Sequence, residues 1–476
     1  MLAAPLLLVR LGAKDVWEAS EGRPLESARE MRAQGDALVQ YTNGAVDLTK
    51  PPLYAWLVRL SFDALGETEA AGRLPSVLAS IGALGAVYVL GRRRGGARAG
   101  FTAALLLLTT VKFLFQARLA ELETLLACAV LWAYAAFDAG VEAAPGARRD
   151  RLFAGGFAAT GLAFAVKGPI ALLLVLPGVA IGAIAVGRGR SLLSRACAIT
   201  LPILPLVALP WYAAVVLRDP TTLDTFLSYA RGENVGHLHD PFYYLASWPL
   251  YGLPGVLAAI PGLTLPWHAG LDPDLRRRVR LPFAAFVVTF LLLSALHAKQ
   301  THYLIPVVFP MGCVLGGVWL DRWLASEKGA RVAVALRVAA ATVLVAEFVA
   351  VGWVVPGMNP RQSARSFFER VGRRVPVGTE LGWTVFGSHS DYLWYLPPAL
   401  VGTRGLPEWL GANDDATIAK VRASLTAGPD RHALVTASQA AALVDVAEVL
   451  ERDDDVGKKG RSFVLLRTRE GARGPR

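Results

Sequence analysis

The sequence predicts a mainly α-helical protein that crosses a membrane many times and ends in a small α/β domain. Hydrophobic residues make up 54% of its 476 residues and charged residues 18%, whereas a soluble domain carries about 25% charged residues. Long apolar runs alternate with short charged loops up to about residue 355, which is typical of membrane-spanning helices. Beyond that residue, segments with strand and helix patterns follow one another.

Ten apolar segments come close to the length of about 17–25 residues that a tilted membrane helix needs. They are 74–91, 99–116, 121–137, 153–166, 170–187, 196–217, 246–267, 281–298, 303–320 and 332–355. The apolar start MLAAPLLLVRLG is too short to span alone, and we interpret it as the end of a further helix. The prediction is therefore a protein with about eleven transmembrane helices.

Arginine and lysine concentrate in every second loop between these segments. The basic loops are 91–100, 146–151, 187–195, 274–280 and 321–331. Because cytoplasmic loops carry an excess of these residues, the net charge of +11 indicates orientation rather than nucleic-acid binding. The outer side then holds 13–73, 117–120, 167–169, 218–245, 299–302 and the end of the chain.

The chain is predicted to form a transmembrane domain over 1–355 and an extracytoplasmic α/β domain over 356–476. In the second domain, SARSFFERVGRRV and NDDATIAKVRASLTAG have helical patterns, and HALVTAS and RSFVLLRT have strand patterns. We predict a further helix over QAAALVDVAEVLERD. This domain contains no phosphate-loop or dinucleotide motif, so we interpret it as a lid or docking domain.

Carboxylates cluster in the first outer loop, where Glu18 and Glu21 come just before Arg23. Pro24 suits the first turn of a helix and Gly35 suits its end, which predicts a helix over about 24–34. Glu21 would then lie at the positive end of the helix dipole, where a carboxylate is favoured.

The same helix is predicted to lie along the membrane surface with an apolar side made of Leu25, Ala28 and Met31. Its charged residues have a simpler interpretation than chemistry, because a solvated helix face commonly carries ion pairs at this spacing. That interpretation is preferred for Glu26, Arg29 and Glu30.

Charged residues mark three further outer segments. Lys50 precedes two prolines in TKPPLYAW, which stiffen the chain at the membrane surface. ARLAELETLL carries Arg118, Glu121 and Glu123 at the start of a span, where charges are costly and usually functional or paired. Arg118 and Glu121 have the spacing of a helical pair, whereas Glu123 lacks an obvious local partner. Lys167 stands alone in the tight turn AVKGPI.

Two more outer segments combine cations with aromatic residues. YARGENVGHLHDPFYY contains Arg231, Glu233, His237 and His239, and HAKQTHYLIP contains Lys299 and Tyr303. The two histidines have the spacing that suits an extended metal-binding loop. A divalent metal ion is therefore the one cofactor that the sequence suggests.

The outer side thus offers several cations beside several carboxylates. Cations at a membrane surface suit a phosphate or diphosphate headgroup, and carboxylates suit removal of a proton from an acceptor. Together they indicate group transfer from a lipid-linked phosphate.

These motifs resemble, in order and spacing, the membrane-embedded C-type glycosyltransferases, specifically the aminoarabinose transferase and protein O-mannosyltransferase group. The resemblance runs from about residue 14 to 323. The matching stretches are EGRPLESAREM, GD at 35–36, NG at 43–44, KPPLYAWL, AAGRLPSVLAS, ARLAELETLL, GLAFAVKGPIALLL, LPWYAAVV, GENVGHL, PFYYL and KQTHYLIPVVFP.

The resemblance implies inverting transfer of a sugar from a polyprenyl phosphate to a lipid or protein acceptor. It places this reaction at the outer face of a bacterial inner membrane, among membrane lipids and without nucleic acid. The donor phosphate would bind Lys50, Lys167, Arg231 and Lys299, and Arg23, Arg118, Glu233 and Tyr303 would position the substrates.

The family's first loop usually carries an Asp-Glu pair, one further residue and an Arg, which read Ser20, Glu21, Gly22 and Arg23 here. A second family Asp is Glu123. The resemblance therefore implies Glu21, Glu18 or Glu123 as the catalytic carboxylate.

Two other functions remain open at this point. A lipid or lipid-linked-sugar transporter usually has ionisable groups near the middle of the membrane, where this sequence has very few. A catalytically inactive assembly partner is consistent with Ser20 at the position of the proposed catalytic Asp.

Overall fold

The structure is a computed structural model that describes residues 3–231, 239–379, 381–384, 390–401, 415–453 and 462–469. These residues are mainly helical. The helices in chain order are α1 (Ala3–Leu8), α2 (Ala19–Ala33), α3 (Leu53–Leu65), α4 (Glu69–Leu108), α5 (Val111–Ala117), α6 (Glu123–Glu142), α7 (Ala147–Lys167), α8 (Ile170–Ala185), α9 (Arg195–Thr200), α10 (Ile203–Ala208), α11 (Pro210–Arg218), α12 (Thr222–Arg231), α13 (Tyr243–Tyr251), α14 (Val256–Gly262), α15 (Pro273–Arg278), α16 (Arg280–Ala295), α17 (Val308–Leu324), α18 (Glu327–Val349), α19 (Val355–Gly357), α20 (Asn359–Gln362), α21 (Arg365–Arg374), α22 (Ser390–Leu393), α23 (Pro398–Val401), α24 (Asp415–Thr426) and α25 (Ala437–Ala441).

Short 3-10 turns and six strands complete the described secondary structure. The 3-10 turns are Gly189–Leu193, Leu265–Trp267 and Thr301–Leu304, and a π turn covers Ala350–Val354. The strands are β1 (Gln40–Thr42), β2 (Ala45–Asp47), β3 (Leu381–Trp383), β4 (His432–Thr436), β5 (Ala447–Asp453) and β6 (Phe463–Thr468).

The chain divides into two compact units. The first, called here the membrane unit, comprises Met1–Val9, Leu48–Tyr54 and Arg73–Val351. The second, called the α/β unit, comprises Arg10–Asp47, Ala55–Gly72 and Gly352–Arg476. The sequence set the domain boundary at 355/356 and assigned the whole loop 13–73 to the transmembrane domain, whereas most of that loop belongs to the α/β unit.

Four helical segments among the described residues are long and apolar enough to cross a membrane. They are Glu69–Leu108, Glu123–Glu142, Pro273–Ala295 and Glu327–Gly357. Two bent helix pairs raise the count to six when each pair is taken as one span, namely Arg195–Ala208 with Pro210–Arg218 and Tyr243–Tyr251 with Val256–Trp267.

Helix α4 reverses direction within the basic loop that the sequence placed between its first two full spans. The break is at Gly96, whose φ of 81° and ψ of −175° are accessible essentially only to glycine. A Cβ at Gly91 would come within 2.9 Å of the Cα of Gly100, so the two arms pack closely against each other. The predicted segments 74–91 and 99–116 are thus the two arms, with the second ending at Leu108.

Small residues allow close helix contacts elsewhere in the membrane unit. A Cβ on Gly262 of α14 would lie 2.6 Å from the backbone nitrogen of Gly316 on α17. One on Gly156 of α7 would lie 2.7 Å from the ring of Phe137 on α6. Small residues at such crossings let membrane helices approach until their backbones touch.

The outer surface of the unit is apolar, as expected of helices that face lipid. Helix α18 shows this most clearly, because Val334, Val338 and Val345 are at least 60% exposed.

In the α/β unit, one sheet has the strand order β3-β4-β6-β5. Strands β3 and β4 are parallel, and the other two pairings are antiparallel. Apolar residues from β4 and β6 and from α24 form its core, including Val421, Leu425, Val435 and Leu466.

The helix predicted over QAAALVDVAEVLERD is wrong for its second half. Helix α25 ends at Ala441, and residues from Ala447 form β5, which pairs with β6. The strand's hydrogen bonds to β6 outweigh the helix propensity of Ala, Leu and Glu, as tertiary context often does. The predicted helices α21 and α24 and strands β4 and β6 are present.

The first-loop helix starts earlier than the sequence predicted. Helix α2 begins at Ala19, so Pro24 lies inside it rather than in its first turn. Its end agrees with the prediction, because Gly35 follows with a φ of 67°. The predicted apolar side is confirmed, since Leu25, Ala28 and Met31 are at most 1% exposed.

Candidate active site

Five side chains from separate parts of the chain form a polar cluster in the membrane unit. They are Lys50, Glu123, Lys167, His302 and Tyr303. The ammonium of Lys167 donates to both carboxylate oxygens of Glu123, at 2.7 and 2.9 Å. The Nε2 atom of His302 lies 3.5 Å from the same carboxylate, and Lys167 Nζ lies 4.6 Å from the centre of the Tyr303 ring.

The helix ends explain why Glu123 meets Lys167. Glu123 is the first residue of α6, where the helix dipole favours a carboxylate, and Lys167 is the last residue of α7, where it favours a cation. Because α6 and α7 are joined by a short connection and pack side by side, the start of one lies beside the end of the other. The sequence missed this partner because it is 44 residues away.

Helix α7 ends at a backbone conformation that suits glycine. Gly168 has a φ of 73°, and a Cβ there would lie 2.9 Å from the hydroxyl oxygen of Tyr212. This glycine therefore allows the tight turn directly after Lys167, in agreement with the turn predicted in AVKGPI.

His302 is neutral in this setting. Burial lowers its pKa from 6.5 to about 3, although the Glu123 carboxylate acts in the opposite direction. Lowering the pKa of a histidine removes its charge over the physiological range. The charge of Glu123 is therefore balanced by Lys167, with a further contribution from Lys50.

Lys299 has a different environment from the cluster. It is 2% exposed, and its ammonium donates to the carbonyl oxygens of Leu296 and, at 3.1 Å, His239. Because Leu296 follows the last residue of α16, Lys299 caps the end of this helix, which is a structural task for a cation.

Arg118 does not pair with Glu121, contrary to the expected helical pair. Its guanidinium donates to the carbonyl oxygens of Leu6 and Leu7 at 2.9 and 2.7 Å, and Glu121 accepts from Gln116. Residue 118 lies between helices α5 and α6, so the spacing rule for one helix does not apply. Arg118 thereby fixes α1 in the membrane unit.

In the α/β unit, Glu21 lies in the first turn of α2 and is fully buried. The ammonium of Lys14 donates to its Oε2 atom at 2.7 Å, and Lys14 also lies 4.5 Å from the centre of the Trp17 ring. Glu18 and Ser20, in contrast, are exposed at the same end of the helix. Arg23 follows one turn later and is partly buried.

The solvated helix face expected around Arg29 is wrong, because Glu26 and Glu30 are 1% and 4% exposed. Arg29 donates to Glu26 at 2.8 Å, and Glu30 accepts from the backbone of Asn43 and Gly44 in the β1–β2 turn. Burial raises the pKa of Glu26 from 4.5 to about 7, with Arg29 acting in the opposite direction.

The predicted metal site lies only partly within the described residues. Glu233, His237 and the side chain of Arg231 lie outside the described residues. His239 is exposed, with its ring stacked on Tyr243 at 4.3 Å between ring centres. Within the described part of the chain, no three His, Cys, Asp or Glu side chains are grouped to hold a metal ion.

Sequence reasoning missed Lys14 as the partner of Glu21, and it noted His302 without connecting it to Glu123. Lys14 follows an apolar start in which Arg10 is the other cation, and His302 lies one residue before the predicted Tyr303. A cation or imidazole within an apolar segment was the available signal, since such residues are costly unless they are paired.

Comparison with known proteins supports the family suggested by the sequence. Residues 49–213 match the dolichyl-phosphate-mannose-protein mannosyltransferase family. An undecaprenyl phosphate-α-4-amino-4-deoxy-L-arabinose arabinosyl transferase of Edwardsiella ictaluri is 29% identical over 68% of the chain and 58% of its own length. A transferase of the same name from Shewanella sediminis is 26% identical over 69% of the chain and 60% of its own length. The chain thus spans less than two thirds of the length of these relatives.

Solved structures agree on the fold. The crystal structure of ArnT from Cupriavidus metallidurans bound to undecaprenyl phosphate has a TM-score of 0.79, at 20% identity, over 100% of the chain and 98% of that protein. An oligosaccharyltransferase of Archaeoglobus fulgidus has a TM-score of 0.54, at 12% identity, over 85% of the chain and 63% of that protein. The chain therefore has the C-type glycosyltransferase fold of ArnT, and it is similar in sequence to aminoarabinose transferases.

Proposed function

We propose that this protein transfers a sugar from a polyprenyl-phosphate donor to a lipid or protein acceptor at the outer face of the bacterial inner membrane. The polar cluster of Lys50, Glu123, Lys167, His302 and Tyr303 is the observation that carries the proposal. A buried group of cations and a carboxylate at the ends of membrane helices is costly unless it serves a purpose. The similarity to transferases named for an undecaprenyl-phosphate sugar supports this purpose.

The cluster suits the phosphate that leaves in such a reaction. An ammonium group has three N–H donors, of which Lys167 directs two at Glu123. We assign the third to a phosphate oxygen of the donor, and Lys50 to a second oxygen. Both cations would stabilise the charge that develops on the phosphate as the bond to the sugar breaks. Lys299 already donates to two carbonyl oxygens, so we leave it out of this role.

The chemical step we propose is a single displacement at the anomeric carbon. The acceptor oxygen attacks from the face opposite the phosphate, so the configuration inverts. The C1–oxygen bond to the phosphate breaks and polyprenyl phosphate leaves. A carboxylate takes the proton of a hydroxyl acceptor.

Glu18 is the best-suited base among the three predicted carboxylates. It is exposed, whereas Glu21 is buried against Lys14 and Glu123 against Lys167. A base needs an oxygen that the acceptor can approach. Glu21 and Glu123 then serve to hold Lys14 and Lys167 in position.

The topology belongs to the same proposal. We propose about eleven spans with the cluster and the α/β unit on the outer side. Four predicted outer segments meet in or beside the cluster, those of Lys50, Glu123, Lys167 and His302, which supports the alternation of basic loops.

A second candidate is a catalytically inactive assembly partner, because Ser20 replaces the Asp that the family usually has in the first loop. The two functions differ in whether a sugar is moved. Restoring transfer by Ser20→Asp in a protein that otherwise shows none would favour the inactive partner.

The proposed function is tested by mass spectrometry of envelope lipids and glycosylated proteins. Cells lacking the gene are compared with cells that carry the wild-type protein, Lys167→Met or the control Lys328→Met, which changes an exposed lysine. We expect one sugar-sized mass to disappear in the deletion and in Lys167→Met, and to remain in the control. Retention of every sugar-modified species in the deletion would contradict the proposal.

A further inference from the structure

Side chains from the distant C-terminal part of the α/β unit make hydrogen bonds to the backbone of the segment before α2. Residues 13–17 have no regular secondary structure. Asn359 reaches this segment with both ends of its amide. Its Oδ1 accepts from the backbone nitrogen of Asp15 at 3.0 Å and from the indole of Trp17 at 3.1 Å, and its Nδ2 donates to the carbonyl of Ala13 at 2.8 Å.

Tyr395 completes this support, because its hydroxyl accepts from the backbone nitrogen of Val16 at 2.7 Å. Val16 and Asp15 are both buried, at 2% and 8% exposure. A buried amide without a partner is costly, so the position of the segment depends on Asn359 and Tyr395.

The supported segment carries the lysine that holds Glu21. Lys14 lies between Ala13 and Asp15, two residues whose backbone Asn359 binds. Its ammonium donates to Glu21 at 2.7 Å and to the carbonyl of Asp15 at 2.8 Å. A shift of the segment would therefore move Lys14, and the first turn of α2 would lose the ion pair between Lys14 and Glu21.

We propose that Asn359 and Tyr395 are positioning residues of the active site, which act through Lys14 and Glu21 to fix the first turn of α2 and the exposed Glu18 that precedes it. The inference rests on the proposed function, because it assigns Glu18 a role in transfer. The C-terminal part of the chain thereby contributes to the reaction without touching the substrates. This role differs from the lid or docking role that the sequence suggested.

The chemistry of the amide explains why asparagine is needed at residue 359. One oxygen accepts from two donors while the nitrogen donates to a carbonyl, and only an amide of this length does both. In Asn359→Asp the second carboxylate oxygen would face the carbonyl of Ala13 without a hydrogen to share. In Asn359→Leu all three hydrogen bonds are lost, while the side chain keeps a similar volume.

Transfer kinetics of the purified full-length protein test the inference, with a polyprenyl-phosphate sugar as donor. We expect Asn359→Leu and Tyr395→Phe to lower kcat at least tenfold and to change KM for the donor less than twofold, because the proposed donor-phosphate ligands Lys50 and Lys167 are unaltered. Combining Asn359→Leu with Lys14→Met should lower kcat no further than the stronger single change, since both act on Glu21.

Gln439→Leu is the matched control. Gln439 is a buried amide of the same unit that accepts from Thr384 and from the backbone of Thr436, both of which lie beside the sheet rather than before α2. This variant should lose stability comparably while each folded molecule keeps its kcat. If Gln439→Leu lowers kcat as much as Asn359→Leu does, Asn359 contributes only to stability and the inference is overturned.

Hydrogen exchange separates this inference from the proposed function. In Asn359→Leu the amides of residues 13–23 should exchange at least tenfold faster than in the wild type, and β4 should be unchanged. Unchanged exchange at 13–23, or wild-type kcat in Asn359→Leu, would overturn the inference alone. A wild-type protein that transfers no sugar would overturn both the inference and the proposed function.

Discussion

At the residue scale, the Glu123–Lys167 ion pair is nearly sealed from water, with side-chain exposures of 4% and 14%. Removing one partner of such a pair leaves a buried charge without compensation, which costs about 3–5 kcal/mol. Removing both charges can be almost neutral. Stability and chemistry therefore respond differently to changes at this pair.

This difference gives a prediction. Glu123→Gln should lower the unfolding free energy by about 3 kcal/mol, whereas the double variant Glu123→Gln with Lys167→Met should regain most of it. Transfer should be lost in both variants. The single variant no longer holds Lys167 in position, and the double variant lacks the ammonium that we assign to the phosphate. Thermal unfolding in detergent and a transfer assay measure the two effects. A double variant that transfers sugar at the wild-type rate would remove Lys167 from the mechanism.

Glu26 provides a pH-dependent prediction at the same scale. Burial raises its pKa in the folded protein to about 7, above the ordinary 4.5. The stability that protonated Glu26 contributes is therefore present below pH 4.5 and is lost as the pH rises through 7. With 1.36 kcal/mol per pKa unit, the loss amounts to about 3 kcal/mol.

Glu26→Gln removes this loss, so its unfolding temperature relative to the wild type should rise between pH 5 and pH 8. The exposed Glu327→Gln is the control and should show no such change. An offset between Glu26→Gln and the wild type that is equal at both pH values would show that Glu26 does not titrate in this range.

At the scale of elements, long apolar runs predicted the long helices, such as Glu123–Glu142 and Glu327–Gly357. Periodicity could not predict Ala447–Asp453 as a strand, since the hydrogen bonds that form it come from β6. The preference of proline for a first helical turn predicted that α2 begins near Pro24, whereas the helix starts at Ala19. The residue pattern of one segment does not reveal which other segment it will pair with in the fold.

Close helix crossings supply the element-scale prediction. A Cβ on Gly316 of α17 would lie 2.8 Å from the backbone of Ala258, so Gly316→Ala should force α14 and α17 apart and cost about 3 kcal/mol. Gly85 of α4 is the control, because a Cβ there meets only Trp132, at 3.7 Å, and alanine favours a helix over glycine. Gly85→Ala should leave the unfolding temperature unchanged or raise it. Equal effects of the two changes would contradict the assigned packing of α14 against α17.

At the scale of the whole molecule, the sequence predicted the mainly helical fold class better than it predicted which side chains meet. The order of motifs indicated Lys50, Glu123 and Lys167 as site residues, since cations and carboxylates in apolar surroundings stand out. It could not predict that Lys167 holds Glu123, or that Asn359 holds the segment of Lys14. Both contacts join residues far apart in the chain, and neither spacing nor composition records them.

The α/β unit illustrates the same limit. A boundary at 355/356 followed from the end of the last apolar run. The association of Arg10–Asp47 and Ala55–Gly72 with the C-terminal part depends on contacts such as Arg29 Nη1 with the carbonyl oxygen of Trp394 at 3.3 Å. The first loop and the last domain therefore fold as one unit, which is why we place determinants of catalysis in the C-terminal part.

The most direct measurement of the central claim follows the donor itself. The purified full-length protein is incubated with a polyprenyl-phosphate sugar and an envelope lipid and protein extract from the deletion strain, and polyprenyl phosphate is quantified by mass spectrometry. We predict release of polyprenyl phosphate in step with one new sugar-bearing acceptor, and neither product with Lys167→Met. An intact donor under these conditions, or movement of the donor across liposomes without cleavage, would contradict sugar transfer as the function of this protein.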